Sequence, residues 1–186
     1  AGHDAPRLVH LVVDGLDSFR DEAMYKGRLI PFYKRAQTRA GGIHGAFAGQ
    51  GWGRLARLEA LTAFAEQQGA WLTLDTAHVG SMPHDLLDAY RQMRGRLANI
   101  HLSDLRTLPR LFDHTWTQSY IKHHQLPGRG VLPLEALVCT LGSDRYAGLL
   151  TFELSPLALH IWSPRRALQH LKECVAFVQR VEQSAG

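Results

Sequence analysis

The chain has 186 residues and a mass of 20.8 kDa, with 45% hydrophobic and 20% charged residues. This length suits one domain with a sizeable core, and no apolar run reaches the roughly 20 residues that a transmembrane helix needs. The net charge of +4 permits an anionic partner, but Lys and Arg are scattered along the chain, which argues against nucleic-acid binding. There is no signal-peptide layout and no zinc-finger cysteine spacing, so we expect a reduced, cytoplasmic protein without a membrane partner.

Apolar β-type runs alternate with longer helical patterns. Strands are predicted at 8–13, 41–47, 71–75, 97–103 and 148–154. Helices are predicted at 21–40, 53–68, 83–95, 132–141 and 164–182. The strand runs show little polar alternation, which is typical of parallel strands that are buried on both faces. Repeated βα units predict an α/β barrel or an open doubly wound sheet, in a single domain covering 1–186.

Residue types at the predicted helix ends support these boundaries. Ser163 and Pro164 suit the start of the last helix. A serine side chain can cap a helix, and the first helical N–H, which proline lacks, has no partner within the helix. The residue that caps the helix predicted at 83–95 lies between residues 81 and 85, and the sequence does not decide which one it is. Gly142 suits a C-terminal stop. The segment 104–130 fits neither period, and a connection of this length is usually functional.

Acidic and imidazole side chains stand where three apolar runs end. Asp75 closes WLTLD, His101 stands late in LANIHLS, and Glu153 stands late in GLLTFEL. If these strands are parallel, the three side chains lie near one C-terminal rim, where α/β barrels build their active sites. Carboxylate and imidazole ligands suit a divalent Mn, Mg, Co or Zn ion.

Each of these residues also has a plainer interpretation. An aspartate at a strand end commonly caps the helix that follows, and His101 could be a hydrogen-bonded core histidine. Glu153 is harder to explain in this way, because an unpaired carboxylate inside an apolar strand would cost several kcal/mol. Three such residues at three strand ends favour a functional site.

The segments LTLDTAHVG, LANIHLSDL, HHQLPGRGVLPLEAL and YAGLLTFEL occur in an order and at spacings that resemble the xylose isomerase-like TIM barrels. The resemblance covers roughly residues 55–155. It implies a (β/α)8-type barrel that lacks its first two βα units. The superfamily includes sugar and sugar-phosphate isomerases and epimerases, and also the DNA-repair enzyme endonuclease IV.

Carried onto this sequence, the resemblance implies one divalent metal ion. Its ligands would be Asp75, His101 and Glu153, and Glu153 would also act as an acid–base group. His124 aligns with a histidine that endonuclease IV uses for metal, which makes it a further candidate ligand. His78 aligns with a histidine at the same rim and is a candidate for catalysis and substrate binding.

Two weaker candidates for substrate binding come from the residues themselves. Arg106, shortly after His101, could bind a hydroxyl, carboxylate or phosphate, although it is also well explained as a surface arginine. Trp116 could pack against a sugar, although aromatic side chains in such loops are more often simple packing residues.

The resemblance predicts a metal-dependent sugar or sugar-phosphate isomerase or epimerase, acting by proton transfer through an enediolate-like intermediate. Two alternatives stay open: an endonuclease IV-like phosphodiesterase acting on abasic DNA, and a non-catalytic relative with a degenerate metal site. Lys122 stands where the nuclease has an aspartate. No glutamate lies between Glu22 and Glu59, although the isomerases carry a second acid–base glutamate near the position of Ala48. Absent βα units would expose open sheet edges, so the sequence is compatible with a homo-oligomer.

Overall fold

The computed structural model describes residues 8–10, 44–48, 58–68, 71–81, 85–109 and 121–185. The strands are β1 Leu8–His10, β2 His44–Ala48, β3 Trp71–Asp75, β4 Leu97–Leu102 and β5 Leu149–Phe152. The helices are α1 Leu58–Gln68, α2 Thr76–Gly80, α3 Leu86–Met93, α4 Leu134–Ser143, α5 Pro156–Leu159 and α6 Pro164–Ala185, with a 3-10 turn at Arg94–Arg96. The strands follow chain order in one sheet, β1-β2-β3-β4-β5.

The chain divides into two compact units. One comprises Ala1–Leu74 with Tyr90–Asn99, and the other Asp75–Ala89 with Ile100–Gly186. In the first unit β1 pairs with β2 and β2 pairs with β3, and both pairings are parallel. The parallel arrangement predicted from the apolar runs is confirmed for these pairs.

The core of the second unit is formed largely by α4 and α6, which pack against each other. Their buried side chains recur three or four residues apart, so each helix presents one apolar face. These buried residues are Leu134, Leu137, Val138 and Leu141 on α4, and Cys174, Phe177 and Val181 on α6. Complete burial of a large apolar side chain contributes about 1.5–3 kcal/mol, so this pair of faces is a main source of stability for the unit.

The helix ends follow the sequence signals closely. Asp85 caps α3, because its side chain accepts hydrogen bonds from the backbone N–H groups two and three residues on, at 2.9 and 3.0 Å. α6 begins at Pro164, as predicted. α4 runs through Gly142 to Ser143, two residues beyond the predicted last residue 141, so the stop predicted at Gly142 was wrong. After the end of α4, the backbone takes up the left-handed conformation at Arg145, where φ is 52°.

The prediction that every strand is buried on both faces was wrong for β5. Its residues alternate between exposed and half-buried. β5 also ends at Phe152, so Glu153 lies just beyond the strand and not within it. The short helices α2 and α5 were not predicted, because five and four residues are too few to show a helical period.

Some predictions fall outside the described residues. These are the helix at 21–40, Trp116, and the middle of the segment 104–130. Within the ranges that the structure describes, no helix is both long enough and apolar enough to cross a membrane.

Candidate functional site

Asp75, the last residue of β3, uses its two carboxylate oxygens differently. Oδ1 accepts a hydrogen bond of 3.1 Å from the backbone N–H of His78 and so caps α2. Oδ2 faces two imidazoles, and lies 3.7 Å from Nε2 of His78 and 3.9 Å from Nδ1 of His101. Because the cap occupies only one oxygen, Asp75 can cap the helix and still offer an oxygen to a ligand.

The carboxylate cluster consists of Asp75, His101 and Glu153. One ligand atom of each lies within 4.8 Å of the others, and Nδ1 of His101 contacts Oε2 of Glu153 directly. Asp75 and His101 are each 6% exposed, whereas the side chain of Glu153 is 39% exposed. The cluster is therefore buried on one side and accessible on the other. Two carboxylates and an imidazole are a donor set that fits a divalent cation.

The hydroxyl of Thr76 ties the end of β3 to the end of β4. It lies 2.5 Å from the carbonyl oxygen of Ser103 and 3.0 Å from that of His101, and it accepts a 3.0 Å hydrogen bond from the N–H of Ser103. All of these groups are buried. Since Thr76 follows Asp75 directly, this contact fixes Asp75 relative to His101.

Asp104 is a buried carboxylate that holds the loop after residue 125. Its oxygens accept hydrogen bonds of 2.8–3.0 Å from four backbone N–H groups, those of Leu105, Gly128, Gly130 and Leu132. Sequence reasoning assigned Asp104 no role. The available signal was the glycine-containing turn PGRG, whose backbone can approach a carboxylate closely.

The histidine cluster consists of His78, His123 and His124. Their ring nitrogens lie within 4.8 Å of one another, and their ring centroids are 5.2–6.1 Å apart. His124 has a left-handed backbone with φ of 54°, and its carbonyl accepts a 2.8 Å hydrogen bond from the N–H of Ser155. His124 was predicted to share a metal with Asp75, but the structure groups it with His78 and with His123, which sequence reasoning did not single out.

Protonation in the two clusters depends on burial and on neighbouring charges. Burial alone would raise the pKa of Asp75, but a hydrogen bond with His101 and the nearby imidazoles lower that pKa to about 2. Burial would lower the pKa of His101, but its contacts with Asp75 and Glu153 raise it to about 9. Burial and two neighbouring imidazoles lower the pKa of His123 to about 4. In the absence of a metal, His101 therefore carries a proton at neutral pH, and His123 is neutral.

Arg106 lies in neither cluster. It lines a separate pocket of about 160 Å³ together with Gln125, Arg129 and His160. The roles predicted for Asp75 and for the other site residues stay predictions, since geometry alone does not assign them.

Solved structures share the fold over nearly the whole chain. L-ribulose 3-epimerase superposes with a TM-score of 0.65 at 19% identity, covering 96% of this chain and 62% of that one. A xylose isomerase domain protein from Planctomyces limnophilus superposes with a TM-score of 0.64 at 17% identity, covering 96% of this chain and 59% of that one. The fold is that of the xylose isomerase-like TIM barrels. The predicted α/β barrel is thereby confirmed, and at these identities the likeness establishes the fold alone.

Sequence comparison gives a second result, for the N-terminal part. Residues 1–74 match the family model described as queuosine salvage protein. The queuosine 5′-phosphate N-glycosylase/hydrolase of Sphaerobacter thermophilus is 46% identical over 66 residues, which is 36% of this chain and 20% of that protein. The protein of the same name from Dictyostelium discoideum is 44% identical over 66 residues, 36% of this chain and 21% of that protein. The chain thus spans about a fifth of the length of these relatives.

These relatives overturn the predicted function. The isomerase or epimerase activity was inferred from the barrel resemblance, as were the endonuclease IV-like and non-catalytic alternatives. The relatives are instead named as enzymes of the N-glycosylase/hydrolase type. The physical reason for the error is that one barrel fold supports many chemistries.

The queuosine match and the clusters occupy different parts of the chain. Every residue of the two clusters lies between 75 and 153, beyond the matched residues 1–74. An uncharacterized protein of Mycobacterium leprae is 28% identical over 110 residues, 59% of this chain and 35% of that protein. That match is longer than residues 1–74, so it also includes part of the segment that carries the clusters.

Proposed function

We propose that this chain takes part in hydrolysing the N-glycosidic bond of queuosine 5′-phosphate or a nucleoside 5′-phosphate of that type. The observation that carries the proposal is the 46% identity over 66 residues to a queuosine 5′-phosphate N-glycosylase/hydrolase. We place the chemistry at the two clusters, because they bring carboxylates and imidazoles together at an accessible rim.

Hydrolysis of an N-glycosidic bond needs three groups around the sugar. A base takes a proton from water, an anion faces the anomeric carbon as it gains positive charge, and an acid protonates the leaving nitrogen. Glu153 is the accessible carboxylate and is suited to the first task. Asp75 stays anionic down to a pH of about 2 and suits the second.

His78 is the group suited to protonating the leaving nitrogen. Its side chain is 24% exposed, and its Nε2 lies 3.7 Å from Oδ2 of Asp75, within ion-pair distance of a protonated ring. As the water oxygen bonds to the anomeric carbon, its proton passes to Glu153. The carbon–nitrogen bond breaks, and the departing base receives its proton from His78.

We also propose that the carboxylate cluster binds one divalent cation, Mn, Mg, Co or Zn. When bound, such an ion would polarise an oxygen of the substrate or of water. Asp75, His101 and Glu153 would hold it. His101 must first release the proton that its two carboxylate neighbours stabilise, so protons and the cation compete for this cluster.

The test is release of the free base from queuosine 5′-phosphate by the purified full chain, measured by mass spectrometry with and without added Mn. We expect Glu153→Gln to lower kcat by about 10²–10⁴-fold, the usual contribution of a general acid or base. Glu182→Gln, which removes an exposed carboxylate on α6, is the matched control and should leave kcat unchanged. No release by the unaltered chain under any of these conditions rejects the function. Release that persists in Glu153→Gln rejects the assignment of the chemistry to this site.

A further inference from the structure

We propose that the pocket lined by Arg106, Gln125, Arg129 and His160, here called the basic pocket, binds the phosphate monoester of the substrate. The pocket has a volume of about 160 Å³, and apolar side chains complete its walls. A water molecule takes about 30 Å³ of liquid volume, so the pocket has room for a phosphate group and some of its hydration. The inference rests on the proposed function for the identity of the substrate, but its geometry stands independently.

The charge of the basic pocket favours an anion. Two guanidinium groups and an imidazole line it, and its lining includes no carboxylate among the described residues. Arg129 donates a 2.6 Å hydrogen bond to Glu173, so its charge is largely offset. Arg106 is exposed, and no carboxylate in the described ranges pairs with it. Arg106 therefore supplies the uncompensated charge, and its planar fork of N–H donors matches two oxygens of a phosphate.

His160 adds a second, independent observation. Its Nδ1 is buried and has no hydrogen-bond partner within the part of the chain that the structure describes. The residue is held in the left-handed region, with φ of 55°, and its ring packs against Trp162 and His170 at centroid distances of 5.1 and 5.0 Å. Buried polar atoms are normally satisfied. His160 lines the pocket, so a small movement of its ring towards a phosphate oxygen there would give Nδ1 a partner.

The walls of the basic pocket are continuous with the candidate site. One wall belongs to the segment 121–129, which also carries His123 and His124. The opposite wall includes α5, which begins three residues after Glu153. A hydrogen bond of 2.8 Å from the N–H of Ser155 to the carbonyl of His124 joins the two walls. A phosphate held here would anchor a nucleoside 5′-phosphate close to the segments that carry the clusters.

The first test is titration of the full chain with inorganic phosphate by calorimetry at pH 7. We expect Arg106→Gln to raise Kd by about tenfold or more, the usual cost of losing a charged hydrogen bond. His160→Asn should also raise Kd, and asparagine tolerates the left-handed backbone at this position. Arg180→Gln, which removes the same charge near the far end of α6, should leave Kd unchanged. If the unaltered chain does not bind phosphate, or if Arg106→Gln binds it with the same Kd, the basic pocket is not a phosphate site.

The second test separates the pocket from the proposed function. With queuosine 5′-phosphate, Arg106→Gln should raise KM by about tenfold and leave kcat nearly unchanged, because the contact is made equally before and during reaction. With the dephosphorylated nucleoside, the same variant should show an unaltered KM. Phosphate binding without any hydrolysis would retain the pocket and reject the hydrolase. Hydrolysis with equal KM effects on both substrates would reject the pocket and retain the hydrolase.

Discussion

Replacement of Asp104 by asparagine removes a charge that the structure uses entirely within the fold. The residue is 1% exposed, and its four hydrogen bonds go to backbone N–H groups, two of them within the turn at 128–130. In Asp104→Asn one oxygen becomes an NH₂ group that faces two N–H donors. Two hydrogen bonds are lost, and two backbone N–H groups are left facing the N–H donors of the new side chain. A hydrogen bond to a charged group contributes about 1.5–3 kcal/mol, so we expect the loss of two such bonds to lower the unfolding free energy by about 3–6 kcal/mol.

Urea unfolding followed by circular dichroism measures this loss directly. Asp144→Asn is the matched control, because Asp144 is an exposed aspartate at the end of α4, and its replacement should change stability by less than about 0.5 kcal/mol. A loss below about 1 kcal/mol in Asp104→Asn would mean that other contacts hold the turn and that Asp104 does not. A loss in the expected range makes Asp104 the residue that fixes the loop leading from the histidine cluster to α4.

Two further predictions follow from the same region and from the carboxylate cluster. Gly130→Ala should lower the unfolding free energy, measured in urea, by about 1–3 kcal/mol. The added Cβ would lie 2.3 Å from Oδ1 of Asp104 and 2.3 Å from the carbonyl oxygen of Leu105. An unchanged unfolding free energy would contradict this packing. The pKa of His101 is raised from 6.5 to about 9, so its stabilising contacts are fully present below pH 6.5 and are lost as the pH rises through 9. In the presence of a chelator, the unfolding free energy of the unaltered protein should fall by about 2–3 kcal/mol between pH 6.5 and 9. The unfolding free energy of His101→Gln should not fall in this way. Equal pH profiles for the two proteins would show that His101 is not charged in the folded protein.

The sequence predicted the parts of the fold that depend on local signals. The cap at Asp85 falls within its predicted window, and the start of α6 at Pro164 was predicted outright, because cap chemistry involves residues only a few positions apart. The alternation of strands and helices followed from periodicity for the same reason. The burial of β5 was predicted wrongly, because it depends on which distant elements cover the strand. The residues of the strand itself, LLTF, do not indicate this.

The candidate site was predictable only where strand ends define it. Asp75, His101 and Glu153 come together, and each lies at or near the end of a strand, which is where the strand prediction placed them. The histidine cluster was not predictable in this way. His124 reaches His78 and His123 through a left-handed backbone in an irregular segment, and outside glycine the sequence signals for that conformation are weak. The reaction was predicted wrongly because the rim is shared by many enzymes with different chemistries.

The queuosine match and the candidate site lie in different compact units of the chain. The queuosine match ends at residue 74, and the first continuous stretch of the first unit ends at Leu74. The clusters and the basic pocket all lie beyond that residue, in the second unit. A hydrolase whose chemistry resides in the matched residues would not need Glu153, whereas a hydrolase that uses the barrel rim would lose its turnover without it. Glu153 is therefore the residue whose replacement decides between a barrel that performs the reaction and a barrel that accompanies it.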